Sequence, residues 1–195
     1  MTLAVVSPHM DDAIFSLGEF ISLRPGVAII TPFAGLPDDD VGREKYERLY
    51  IEHEQVCESV EAVAYNGPFL DDVYAETRDL TGLPKWIFHT LYECDAHEVW
   101  VPYGIFHIDH QQTASAALTI AKALNLDVFI YEELPYRVLW PEQVKLTGKL
   151  AGARLQGPAL NLDRKKELCA MYASQTEGDD IHRCLYAPER LWQVT

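Results

Sequence analysis

Basic residues are scarce in this chain. Sixteen Lys and Arg stand against thirty Asp and Glu, for a net charge of −14, and no stretch concentrates the few cations. A nucleic acid or an anionic membrane surface needs a concentrated basic face, so both are excluded as expected partners. Cysteine is sparse too. Cys57, Cys94, Cys169 and Cys184 form no CxxC pair and no recognised metal spacing, even with His182 close to Cys184. They read as reduced, structural thiols of a cytoplasmic protein. No uninterrupted apolar run approaches the roughly 20 residues of a membrane span. The start, MTLAVVSPHMDD, lacks the basic segment and long apolar run of a signal peptide, which leaves the cytoplasm as the expected address. There is no internal repeat, low-complexity tract or linker, so one domain over residues 1–195 is expected. No GxGxxG follows the first apolar run, which counts against a dinucleotide binder.

What is present is an alternation of short apolar runs and longer amphipathic stretches. With 48% apolar residues, a chain of 195 can bury a proper core. Leu3–Val6, Val27–Thr31, Ala62–Tyr65, Glu98–Val101 and Val128–Tyr131 read as strands. Helices are predicted over Asp12–Leu23, Arg43–Val60, Leu83–Cys94, His110–Leu124 and Leu162–Ser174. Gly18 weakens the first of these slightly, and Pro25-Gly26 ends it. Phe33–Gly42, Gly67–Gly82 and Tyr103–Asp109 read as loops, and Glu142–Leu150 fits either an edge strand or a short helix. Strand–helix alternation of this kind points to βαβ units and a mainly parallel sheet. Such sheets bind ligands at the carboxyl ends of their strands.

Two polar clusters fall at such ends. Ser7-Pro8-His9-Met10-Asp11-Asp12 follows the first strand and opens the first helix. His9 and Asp12 are three apart across that turn, so their side chains can converge. The plainer reading is that Asp11 or Asp12 only caps the helix. His107-Ile108-Asp109-His110 occupies a second strand-to-helix junction. A catalytic zinc site takes three His, Asp or Glu ligands and keeps one position for water. His9, Asp12 and one histidine of the second cluster supply that set. Asp11 and the other histidine are left as a base and an acid. The ligand chemistry also permits iron(II) or another divalent ion.

These residues resemble a known family. SPHMDDAIFSLG resembles the PHPDD motif of the LmbE-like, or PIG-L, de-N-acetylases, and HIDHQQT resembles their HxDH motif. Pro102-Tyr103-Gly104 before it, the block Tyr131-Glu132-Glu133-Leu134-Pro135-Tyr136, and Lys165 to Gln175 resemble further family segments in the right order. Two positions depart from the pattern. Ala13 stands where many members have Glu, and Met10 replaces the usual Pro; a branch of the family carries leucine and alanine at these positions.

The resemblance implies an α/β, Rossmann-like three-layer sandwich with a mainly parallel central sheet. It implies zinc held by His9, Asp12 and His110, Asp11 as general base, and a protonated His107 that stabilises the oxyanion or protonates the leaving amine. Asp109 is implied to orient His107. Arg48 and Asp71 are the positions nearest to the family's sugar-gripping pair. The implied function is a zinc-dependent hydrolase that removes an N-acetyl or other N-acyl group from a small amino-sugar-type substrate through a metal-activated water. The alternatives are an amidase acting on a thiol conjugate, antibiotic or lipid N-acyl group, and a non-catalytic metal-binding relative.

Overall fold

A computed structural model of the protein describes residues 2–74, 77–143, 154–155, 162–176 and 186–194. In chain order the elements are β1 (Thr2–Val6), α1 (Asp12–Ser22), β2 (Ala28–Thr31), α2 (Asp40–Ser59), β3 (Val63–Asn66), α3 (Leu83–Glu93) and β4 (Ala96–Pro102). Then come α4 (Ile108–Ala123), β5 (Asp127–Tyr131), α5 (Tyr136–Leu139), β6 (Arg154–Leu155), α6 (Leu162–Ala170) and β7 (Leu191–Gln193). Among the described residues these strands form one sheet in the order β3-β2-β1-β4-β5-β7-β6. Strands β1 to β5 pair in parallel, β7 pairs antiparallel with β5, and β6 pairs antiparallel with β7.

Side chains alternate across each strand, and the alternation splits the core in two. Val5, Ile29, Trp100 and Phe129 face a cluster with Ile14, Leu17, Val56 and Leu168, from α1, α2 and α6. Ala4, Val6, Ile30, Val99 and Val101 face the other way, onto Ile87, Leu91, Ala117 and Ala121 of α3 and α4. The result is three layers, helix–sheet–helix. Each large apolar side chain buried this way contributes about 1.5–3 kcal/mol.

The strand order reverses between β1 and β4. The chain runs outward from β1 through β2 to β3, then crosses back to β4 and β5. A crevice opens at such a switch point, at the carboxyl ends of the two strands. Both polar clusters of the sequence lie there.

Several boundaries differ from the sequence-based expectation, each for a local reason. Helix α2 starts three residues early because Asp39 caps it, accepting the Gly42 N–H at 2.7 Å. Helix α4 starts two residues early because the His107 side chain caps it, accepting from the Asp109 N–H. Helix α6 stops before Tyr172: the Tyr172 N–H turns to Cys169 O, and the Ser174 N–H goes to the Glu52 carboxylate. Helix α5 and strand β7 are additions that the apolar pattern did not signal. Most of Glu142–Leu150 lies outside the described residues, as do His182 and Cys184. Cys57, Cys94 and Cys169 are buried free thiols. No helix among the described residues is long and apolar enough to cross a membrane.

Candidate metal centre

The turn after β1 is locked by short side-chain bonds. Ser7 Oγ donates to the His9 carbonyl and accepts the Ala13 N–H at 2.9 Å. Asp12 Oδ2 accepts the His9 N–H at 2.9 Å. Tyr172 donates to the Met10 carbonyl at 2.7 Å, which ties the turn to the end of α6. Met10 and Ala13, the two departures from the family motif, are fully buried here. Asp11 takes the N-cap position of α1, yet its side chain makes no capping bond. The Asp12 carboxylate turns back onto His9 instead. Neither carboxylate is spent on capping the helix.

The second junction depends on Gly104. Its φ is +87°, and a Cβ there would meet Ala114 and Gln111 atoms of α4 at 3.2 Å. The chain can therefore pass close over α4 only with glycine. Its N–H, with those of Tyr103 and Ile105, donates to the buried carboxylate of Glu133, which follows β5. The same carboxylate lies 3.3 Å from His110 Nδ1. It sets the His110 tautomer, leaving Nε2 to face Asp12.

His9, Asp12 and His110 form a buried group that could hold a metal ion. His9 Nδ1 and His110 Nε2 lie 3.2 and 3.1 Å from Asp12 Oδ2. Ligand atoms of a four-coordinate zinc site sit about 3.3 Å apart, so the spacing fits. His110 Nε2 is buried and, despite its closeness to Asp12, has no aligned hydrogen bond. A buried polar atom without a partner is costly unless something else satisfies it. The electrostatics agree. Burial opposes a charge on His110, but Asp12 and Glu133 hold its pKa up at about 9. Burial likewise opposes charge on Asp12, but His110 and His9 hold it well below the usual carboxylate range. The point between these three groups favours positive charge, which an ion would supply in place of protons.

A second group, His9, Asp71, His107 and Asp109, is also close enough to hold an ion. Its donor atoms are already engaged. Asp109 Oδ2 accepts the Asp72 N–H at 3.1 Å and faces His9 Nε2 at 3.2 Å, while Oδ1 pairs with Arg78. Asp71 accepts from the Tyr46 hydroxyl and the Val73 N–H. His107 Nδ1 accepts the Asp109 N–H. The first group fits an ion; the second is held together without one.

Asp11 lies on the wall of the crevice, beside His9 and Asp12. Burial, and next the neighbouring Asp12 charge, push its pKa up to about 7. That is the range of a carboxylate that can take and return a proton near neutral pH. His107 is also on the wall. Burial, then His9 and His110, hold it below the ordinary imidazole value. Its Nδ1 accepts from backbone, so Nε2 carries the proton, toward Asp72 at 3.2 Å. The resemblance implies a protonated His107, and these surroundings oppose the charge.

The crevice is a cavity of about 610 Å³, and the expected residues Arg48 and Asp71 both line it. Asp109 does not sit where expected. Its carboxylate is 4.0 Å from His107 Nδ1 but 3.2 Å from His9 Nε2. The α4 cap puts the Asp109 backbone, not its side chain, against His107. Three further residues shape the site and were given no role from sequence: Glu133 behind His110, Asp72 beside His107, and Arg78 behind Asp109. Glu133 follows a strand end, a position that could have flagged it. Arg78 lies in an unpatterned loop, and nothing in its spacing links it to Asp109.

No family model matches this chain, and no curated protein matches it in sequence. Solved structures do match in fold. A deacetylase of the teicoplanin biosynthetic pathway superposes with a TM-score of 0.79 at 22% identity, covering 100% of this chain and 98% of its own. The N,N'-diacetylchitobiose deacetylase of Pyrococcus horikoshii gives 0.65 at 16% identity, covering 93% of this chain and 73% of its own. The 4-carboxy-2-hydroxymuconate hydratase of Pseudomonas putida KT2440 gives 0.63 at 13% identity, covering 94% and 82%. The chain therefore has the LmbE-like fold. That fold carries both amide cleavage and hydration, so the reaction has to be argued from the site.

Proposed function

We propose that this protein, built on the LmbE-like fold, is a metal-dependent N-deacetylase acting on an N-acetylated amino sugar or its conjugate. The observation that carries the reading is the buried His9–Asp12–His110 group, with His110 Nε2 3.1 Å from Asp12 Oδ2 and with Asp11 alongside on the cavity wall. Zinc suits this donor set, and iron(II) is the other candidate. An ion held by His9, Asp12 and His110 would supply Lewis acidity, lowering the pKa of water and polarising an amide carbonyl.

The chain's own residues do the rest. Asp11 takes the proton of the attacking water as its oxygen bonds to the carbonyl carbon. His107 turns its Nε2–H from Asp72 to the oxyanion that forms there. As the C–N bond breaks, Asp11 returns the proton to the departing amine, so acetate and a free amine leave. Asp109 steadies His9, and Glu133 steadies His110, each as a carboxylate on the ring nitrogen away from the ion. Arg48 and Asp71 contact the sugar from the wall. The cavity volume falls within the range of small-molecule sites.

The test is acetate and amine release from a panel of N-acetylglucosamine derivatives, with N-acyl thiol conjugates and N-acyl lipids beside them. The reading expects stoichiometric acetate and amine from a sugar member. Turnover of an unsaturated hydroxy acid without amine release, with the whole panel untouched, would replace it with a hydration reaction.

A further inference from the structure

We infer that Arg78 is a positioning residue of the metal centre, fixing the His9 ring through Asp109. The inference rests on the proposal that His9 binds the ion. Arg78 follows β3 in the loop that carries Asp71 and Asp72, 31 positions before Asp109. Its side chain is only 11% exposed. Three contacts hold the guanidinium: the Asp109 Oδ1 atom, the Leu70 carbonyl at 2.9 Å, and the face of Phe33 at 5.2 Å. Phe33 is itself fully buried, with its ring centre 6.0 Å from that of His9. Arg78 is thus a fixed cation behind the crevice and not a surface arginine.

Asp109 is fully buried and uses its two oxygens in opposite directions. Oδ1 faces Arg78, and Oδ2 faces His9 Nε2 at 3.2 Å. The proton of His9 is thereby placed on Nε2, and Nδ1 presents its lone pair toward Asp12 and His110. His9 has a competing partner. Asp71 Oδ2 lies 3.5 Å from the same Nε2, on a loop at the cavity wall. With Arg78 removed, Asp109 loses its Oδ1 partner and, among the described residues, keeps only the Asp72 N–H besides His9, both on Oδ2, so its carboxylate is held less firmly and the ring is shared between two carboxylates. The His9 lone pair then no longer has one direction. Loss of an outer partner of a ligating histidine typically weakens metal binding by about 10–100-fold.

The experiment measures zinc affinity by chelator competition in the wild type, Arg78→Lys and Arg78→Met, with cobalt(II) absorption spectra of each. Lysine keeps the charge but not the planar fork. The expected affinity order is wild type, then Arg78→Lys, then Arg78→Met, with Arg78→Met weaker by about tenfold or more and its cobalt bands displaced. Equal affinities and unchanged bands in all three proteins overturn the role of Arg78. A wild type that binds no zinc overturns the metal reading itself, so the two failures are distinct. If Arg78→Met does not fold, Arg78→Lys alone decides, since a lysine that matches the wild type in affinity and spectrum removes any need for the fork.

Discussion

At the scale of residues, the site is a division of labour among four aspartates. Asp12 faces two histidines and is held as a carboxylate. Asp109 faces His9 and Arg78; burial opposes its charge, yet those partners keep it below the ordinary carboxylate value. Asp71 is engaged by Tyr46. Among the described residues Asp11 has no such cationic partner within hydrogen-bonding distance, and burial beside Asp12 raises it to about 7. Asp11→Asn should therefore lower kcat by about two orders of magnitude or more, in line with the worth of a general base. Metal content should be unchanged, because Asp11 is outside the ligand group. Steady-state kinetics with metal analysis checks this; full turnover with metal in place would remove Asp11 as the base. The resemblance to a known motif singled out Asp11, Asp12, His9 and His110, and the structure brings them to one crevice. It set Asp109 against His107, whereas the Asp109 carboxylate lies 3.2 Å from His9 Nε2 and 4.0 Å from His107 Nδ1.

At the scale of elements, α1 has a break that the structure repairs with a buried ion pair. Leu17 leaves the helical region (φ −138°, ψ 16°). The break frees backbone groups on both sides. Glu189, just before β7, accepts the Glu19 and Phe20 N–H groups at 2.9 and 3.1 Å. Lys165 of α6 donates to the Ile14 carbonyl and pairs with Glu189, both side chains almost wholly buried. Sequence reading saw only that Gly18 weakens this helix. The repair joins residues about 170 positions apart, which no local pattern reveals. Removing one partner of a buried pair strands the other charge, so Lys165→Met should lose about 3–5 kcal/mol of stability. Denaturant unfolding of Lys165→Met and of the double variant Lys165→Met/Glu189→Gln checks it. The double variant should be the more stable of the two. A loss below about 1 kcal/mol in the single variant would mean that the pair holds nothing.

At the scale of the whole molecule, the five parallel strands and their helices were legible because period-2 and period-3.6 patterns mark buried strands and amphipathic helices. The antiparallel edge was not. Leu191–Gln193 is three residues long, and pairing with β5 rather than any pattern of its own makes it a strand. A further global property follows from His53, which the sequence left without a spacing partner. It is fully buried against Tyr172, and burial lowers its pKa to about 4. The unfolded chain binds that proton below about pH 6.5, whereas the folded one does not until about pH 4. Its contribution is therefore whole above pH 6.5 and is lost as the pH falls toward 4, by about 3 kcal/mol in all. The stability difference between wild type and His53→Gln should rise with pH across that window; a flat difference would mean that His53 is not buried neutral.

The central claim is the ion between β1 and β4, and metal content tests it most directly. After zinc loading and desalting, the wild type should retain about one equivalent, and His110→Ala almost none, as expected for a three-residue ligand set. A wild type that retains no zinc or iron, or a His110→Ala protein that keeps its full equivalent, would contradict the account.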